Sequence, residues 1–280
     1  MAASTLAAQR WHVETFLEHL GVGKSSIADI MIADIDAFLD EKGRGGWSRV
    51  SMAASAHALR AFFRHAERRQ WCAPGIAAAI DAPRLFREEA LPMGPAWPDV
   101  QRLLESTKDR TARDIRDHAI LKLLAIYGLR SGEVRSLRLE DIDWTREVIT
   151  VTRSKQRKTQ CYPLLTSVGD AIVRYLQQAR PRCQRHEVFI TLKAPLRPLS
   201  ASAMYCVVAR RLSVLGVQSK HFGPHGLRHA CATHLVTQGL SLKEIGDHLG
   251  HRSAYATRTY ARVDLAGLRE VGAFDLGGLA

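Results

Sequence analysis

Apolar residues recur at helical spacing along most of this chain, and short β-branched runs interrupt them. Val13, Phe16, Leu17 and Leu20 predict a helix from about Thr5 to Leu20. Ile32, Ile35, Phe38 and Leu39 predict another, from about Ala33 to Lys42, with Gly43 at its end. The clearest stripe is Met52, Ala56, Leu59, Phe62, Phe63 and Ala66. On another face of that helix, Arg60, Arg64 and Arg68 recur every fourth residue. Such a row suits phosphates and guanine edges in a DNA major groove, or an ordinary solvated face.

From Ala82 to Pro98 the text APRLFREEALPMGPAWP carries four prolines and no sustained periodicity. Proline blocks helix continuation, so a linker is expected at 89–98, between a small helical domain over 1–88 and a larger one over 99–280. The larger domain opens with helices on Val100, Leu103 and Leu104 and then on Ile115 to Ile126. Gly128 ends the second helix, and Ser131 is expected to cap a short one through Leu137. Glu147 to Thr152 and Cys161 to Leu164 flank the polar turn RSKQRKTQ, a β-hairpin with a basic tip. Helices at about 167–178 and 200–214 follow, with a short strand expected at 188–191. Ser241 and Glu244 form a capping-box pattern before Ile245 and Leu249, and Gly250 suits the helix end. Leu265, Leu268 and Val271 predict a C-terminal amphipathic helix. The fold class is therefore mostly α, with an α+β second domain built around a small antiparallel hairpin.

Composition narrows the function. Hydrophobic content of 46% indicates a globular chain with a real core, and no apolar run approaches a membrane span. The N-terminus has no basic region followed by an apolar stretch, so no secretory signal is expected. Five scattered cysteines without CxxC spacing read as reduced, partly buried thiols of a cytoplasmic protein. The net charge is +12, and residues 95–280 carry the whole excess. In the first part, acids cluster between Glu14 and Glu41 and arginines between Arg44 and Arg69. One basic face points to a polyanion.

Six of the twelve histidines lie between His221 and His251, in a stretch that also holds Arg228 and leads to Tyr260. Cleaving a phosphodiester without a metal or other cofactor needs donors for the charge that builds on the non-bridging oxygens. It also needs an in-line nucleophile and an acid for the departing alkoxide. Arginine suits the first role because its fixed fork never loses its charge. Arg130 at a helix terminus, Lys155 at the hairpin tip, His225 and Arg228 on one helix face, His251 and Tyr260 supply that cast, with Glu133 able to orient Arg130. Arg153, Arg157 and Lys158 flank Lys155 as further phosphate contacts. His225 and His229 at i, i+4 also have metal-pair spacing, but no HExxH pattern or carboxylate accompanies them, so no metal is expected. His229 and His234 are expected to be packing or supporting residues.

These residues bring a family into view. YGLRSGEVRSLRLEDIDW, TRSKQRKTQCYPL, HGLRHACATHL and LGHRSAYATRTYARVD resemble, in order, the motifs of the tyrosine recombinases, or phage integrase family. The resemblance covers nearly the whole chain. It implies catalytic roles for Arg130, Lys155, His225, Arg228, His251 and Tyr260, with Lys155 assigned by register and Lys158 the other lysine of a turn that lacks the usual glycines. It implies a SAM-like core-binding domain and a catalytic domain forming a C-shaped clamp on DNA. It also implies metal- and ATP-independent site-specific recombination through a 3′-phosphotyrosyl intermediate, for integration, excision or transposition. The partners implied are duplex DNA with paired sites and further copies of the chain, as a synaptic tetramer docked through the C-terminal helix. A type IB topoisomerase and a non-catalytic DNA-binding derivative are the alternatives.

Overall fold

The computed structural model describes residues 3–21, 26–84, 94–107, 111–153, 158–251, 257 and 260. The chain divides into two compact units, Met1–Glu89 and Ala90–Ala280.

The first unit packs α1 (Ala3–Leu20), α2 (Ile32–Arg44) and α3 (Arg49–Arg68), followed by a single turn, α4 (Ile76–Ala79). Ser48 starts α3 by accepting from the backbone N–H of Ser51. The stripe seen in the sequence supplies the core: Ala56, Leu59, Phe63 and Ala66 of α3 are buried with Phe16 of α1 and Ile35 and Phe38 of α2. Phe16 meets Phe38 and Phe63 edge to face, at ring-centroid distances of 5.3 and 6.1 Å.

The second unit is built around α6 (Ala112–Ile126). Ala119 to Ala125 of this helix, except Lys122, are buried, and α6 packs against α5 (Trp97–Glu105), α7 (Ser131–Ser136), α8 (Thr166–Gln178), α9 (Ala201–Val214) and α10 (Pro224–Thr237). Its buried ion pair is satisfied within the unit. Asp117 accepts from Arg116 at 2.8 Å and from Arg211 of α9 at 3.0 Å. An antiparallel sheet runs β1 (Ile142–Asp143), β2 (Val148–Arg153), β3 (Lys158–Pro163) in spatial order, with Ile149 opposite Tyr162 and Arg153 opposite Lys158. The last described helix is α11 (Leu242–Leu249), opened by the Ser241–Glu244 capping box and closed by Gly250 at φ 61°.

Four expectations shift. The linker stops before Trp97, because Trp97 and Pro98 already open α5; proline is tolerated there since first-turn N–H groups have no intrahelical acceptor. The part of that linker at 89–93 lies outside the described residues. The cap expected at Ser131 falls on Arg130, and Ser131 is the first helical residue. The strand expected at 188–191 is only a pair of isolated bridges, Arg138 with Glu187 and Ile190 with Pro198; Pro198 has no N–H with which to extend a ladder. All five cysteines are free, but Cys161 and Cys206 are exposed, not partly buried. Among the described residues no helix is long and apolar enough to cross a membrane. The amphipathic helix expected after Tyr260 lies outside the described residues.

Candidate active site

The site begins at the turn between α6 and α7. Gly128 has φ 58°, and a Cβ there would lie 2.5 Å from Leu249 Cδ2, so the turn needs glycine both for its backbone and for its close approach to α11. Two residues on, Arg130 is held at both ends by one carboxylate. Glu133 Oε2 accepts from its backbone N–H at 2.8 Å, and Oε1 accepts from Nη1 at 2.9 Å. Glu133 is 5% exposed while Arg130 remains 39% exposed, so the cation faces outward from a buried anchor.

Glu133 also receives Nη1 of Arg153, at 2.9 and 3.0 Å to its two oxygens. The other end of Arg153 donates to Gln160 Oε1 and to the hydroxyl of Tyr162. Tyr162 in turn donates to the carbonyl of His248, and Gln160 Nε2 donates to the carbonyls of Asp247 and His248. These carbonyls form the C-terminal end of α11, the negative pole of that helix. Arg228 of α10 joins the same end. Its Nη1 donates to the carbonyl of Gly128 at 2.6 Å and its Nη2 to that of Leu249 at 2.8 Å.

His251 follows directly. Its N–H bonds the carbonyl of Gly246 at 2.8 Å, and its Nδ1 lies 2.7 Å from Thr257 Oγ1. The ring of His251 stacks at 6.4 Å on that of Tyr260, which is 2% exposed. The Tyr260 hydroxyl lies 3.0 Å from Nδ1 of His229, whose Nε2 lies 2.9 Å from Nε2 of His225. Arg130, His225, Arg228, His251 and Tyr260 thus share one neighbourhood, in which Arg130 and Arg228 act electrostatically on His225, His251 and Tyr260. Two cations, neutral imidazoles and a phenol around one spot can bind a phosphodiester and present it with an oxygen nucleophile.

Residues 98–266 match the phage integrase family, and residues 1–70 match its N-terminal SAM-like domain. This chain belongs to the phage integrase family. An integrase/recombinase of Sinorhizobium fredii, y4gC, is 45% identical over 177 residues, covering 63% of this chain and 91% of that protein. The tyrosine recombinase XerD of Corynebacterium glutamicum is 29% identical over 283 residues, covering 97% of this chain and 91% of that one. The fold is shared with XerH recombinase in a post-cleavage complex with its difH substrate: TM-score 0.75 at 20% identity, over 96% of this chain and 79% of that one.

In this phage integrase domain burial, and then the nearby cations, set the protonation of the site residues. Burial, then the positive charges of Arg228, Arg130 and Arg153, hold His251 down to about 4. Burial first, then His225, His221, Arg228 and His251, holds His229 down to about 4 as well. Burial brings Arg228 to about 10, and raises Tyr260 to about 12 against the pull of Arg228.

Several sequence expectations change here. Arg153, expected on DNA, is 2% exposed and fully engaged inside the domain. Alternation carried the signal: Ile149, Val151 and Arg153 share the buried face of β2. Arg60, expected in the DNA-facing row, donates to the carbonyl of Ile80 at the end of the first unit, whereas Arg64 and Arg68 are exposed. His229, expected to be a packing or supporting residue, touches the Tyr260 hydroxyl; its position one turn from His225 was the available cue. His234 is a packing residue, stacked on Trp97 at 3.9 Å. Lys155 and Arg157 lie outside the described residues, and Lys158 is described as a backbone partner of Arg153.

Replacing Glu133 with Gln leaves Arg153 buried without a counter-charge and frees Arg130. Breaking a buried pair of this kind costs about 3–5 kcal/mol, so urea denaturation of Glu133→Gln should show a loss of that order. A variant as stable as the parent would contradict the role given to Glu133. A second expectation concerns pH. Histidines held near 4 in the folded protein regain an ordinary pKa of about 6.5 on unfolding. The unfolded chain then binds more protons, so stability present above about 6.5 is lost as pH falls toward 4. The melting temperature of the protein alone should drop between pH 7 and pH 5; a flat series would count against buried neutral imidazoles.

Proposed function

We propose that this recombinase cleaves DNA by attack of Tyr260 on a backbone phosphate, forming a 3′-phosphotyrosyl bond and releasing a 5′-hydroxyl. Arg130, Arg228 and His251 stabilise the pentacoordinate phosphorane, and each donor of that kind contributes about 10²–10³ in rate. Lys155 protonates the departing 5′-oxygen, and His225 assists proton transfer at the nucleophile. Because the covalent bond conserves the phosphodiester's energy, rejoining to a partner strand needs neither ATP nor a metal. The observation that carries this reading is the setting of Tyr260: its ring lies parallel to that of His251, its hydroxyl meets His229, and the charges of Arg228 and Arg130 act on it.

The anchoring favours a catalytic reading over a merely DNA-binding one. A surface arginine needs no carboxylate beneath it, whereas Arg130 and Arg228 are both fixed before any phosphate arrives. In this reading the partners are duplex DNA with paired sites and other copies of the chain, assembled as a tetramer through the C-terminal helix. The action is cytoplasmic, where its five free cysteines stay reduced. Exposed Arg64 and Arg68 of α3, with Arg157 and Lys158, contact phosphates.

The decisive experiment is covalent capture on nicked DNA. Tyr260→Phe should abolish the covalent protein–DNA adduct and leave non-covalent binding nearly intact; an adduct formed as usual would refute the nucleophile. For the α3 row, Arg64→Ala and Arg68→Ala should each weaken binding and reduce the slope of log K against log salt by about 0.9. An unchanged slope would return that face to plain solvation.

A further inference from the structure

The hydroxyl of Tyr260 meets an imidazole to which the recombinase resemblance gave no catalytic role. His229 and His225 lie four residues apart on α10, so their rings share a face, with centroids 4.3 Å apart. His229 stands between the phenol and His225, its Nδ1 3.0 Å from Tyr260 Oη and its Nε2 2.9 Å from His225 Nε2. We propose that His229 is the base that takes the Tyr260 proton during cleavage and passes a proton to His225, as the middle member of a tyrosine–histidine–histidine relay. This rests on the reading of Tyr260 as the nucleophile.

The hydrogen-bond directions follow from the rings. A neutral imidazole has one N–H and one in-plane lone pair. If Nδ1 of His229 accepts from the phenol, its proton sits on Nε2 and donates to His225 Nε2, and His225 keeps its own proton on Nδ1. Each contact then has one donor and one acceptor. As Oη bonds to phosphorus, its proton moves to Nδ1 of His229, and the Nε2 proton of His229 moves to Nε2 of His225. His229 ends neutral and His225 ends as imidazolium. The bond from phosphorus to the 5′-oxygen breaks, and that oxygen takes a proton from Lys155. Rejoining runs the same transfers in reverse.

The surroundings keep both rings ready to accept. The titratable and charged groups acting on the pair are His221 and Arg228, then Arg130 on His225, and His251 on His229. All are basic, and with burial they hold His225 below the ordinary imidazole value and His229 at about 4. The imidazolium formed on His225 lies in the field of Arg130 and Arg228, and the negative charge of the bound phosphate offsets that repulsion.

The test uses the full chain and a duplex recovered by covalent trapping on the wild-type protein from a randomised, nicked DNA library. Single-turnover adduct formation is measured for the wild type, Tyr260→Phe, His229→Asn and His229→Gln. Asparagine can place an oxygen near the Nδ1 position and keep the bond to Tyr260, but it cannot take up the proton. Both His229 variants should bind the duplex normally and cleave about 10²–10⁴-fold more slowly. Their rates should climb with pH as tyrosinate accumulates, while the wild type stays nearly flat from pH 6 to 8. A 5′-bridging phosphorothiolate, whose leaving group needs no acid, should rescue Lys155→Ala and leave His229→Asn slow. Wild-type rates in both His229 variants would overturn the relay, as would faster cleavage, which would make the bond a latch. Full rescue of His229→Asn by the phosphorothiolate would also overturn it, by moving its role to the leaving group. Loss of the adduct in Tyr260→Phe shows that such a failure belongs to the relay alone. An adduct with Tyr260→Phe, or no trapping by the wild type, would overturn the nucleophile reading and the relay with it.

Discussion

A single buried carboxylate, Glu133, sets the terms for the second unit. It accepts from Arg130 and from Arg153, and so joins the α6–α7 turn to the hairpin. Arg153 then reaches, through Gln160 and Tyr162, the carbonyls that end α11. Arg228 closes the circuit by bonding the Gly128 turn and the Leu249 carbonyl. Burying two guanidinium groups, Arg153 and Arg228, beside the half-exposed Arg130 is costly without compensating partners. One carboxylate, a helix C-terminus and a turn carbonyl supply them here. The geometry of the site is therefore the geometry of this hydrogen-bonded frame; Gly250 leaves no room for a side chain beside the Arg153 guanidinium, and Gly128 none beside Leu249.

Burial first, and the surrounding positive charge second, decide the chemistry of the imidazoles. Both disfavour the imidazolium, so His229 and His251 stand as neutral groups that accept or donate one hydrogen bond at each nitrogen. Tyr260 is pushed the other way: burial raises its pKa although Arg228 favours the phenolate. For the proposed attack at neutral pH, a phenol that ionises only near 12 would need a base within reach, and His229 lies 3.0 Å away. The frame thus holds apart the pKa values of a weak acid and its acceptor, and proton transfer waits on a change in local charge.

Much of this was legible in the residues. The helical stripes gave most of the first unit's core, because α2 and α3 bury a face of period 3.6; of the α1 stripe Phe16 is buried and Leu17 is exposed. The capping box at Ser241 and the left-handed Gly250 were local signals with local causes. Arg130, His225, Arg228, His251 and Tyr260 were legible as a set because their residue types match one kind of chemistry. What escaped depended on tertiary placement. Arg153 looked like one basic residue among several at a hairpin tip, and only its phase with Ile149 and Val151 distinguished it. Arg60 continued a row with Arg64 and Arg68, yet its partner is a carbonyl twenty residues along the chain, at Ile80. His229 was read through its spacing to His225, while the contact that matters is with Tyr260, thirty-one residues further on.

That division between local and long-range signals bears on how such a site reaches its power. Donors aimed at a developing phosphorane are effective when they need no reorganisation at the moment of reaction. Arg228 spends two of its five N–H donors on main-chain carbonyls, and Arg130 spends one on Glu133, leaving planar cations with fixed orientation and unused donors. The bonds that hold them are made to backbone and to one carboxylate, groups that a substrate phosphate does not displace. Preorganisation is therefore purchased from the fold, in the packing of α10, α11 and the hairpin, and the motif residues alone could not supply it. Arg153 belongs to that supporting set, which is why its burial, and not contact with DNA, is its contribution to the site.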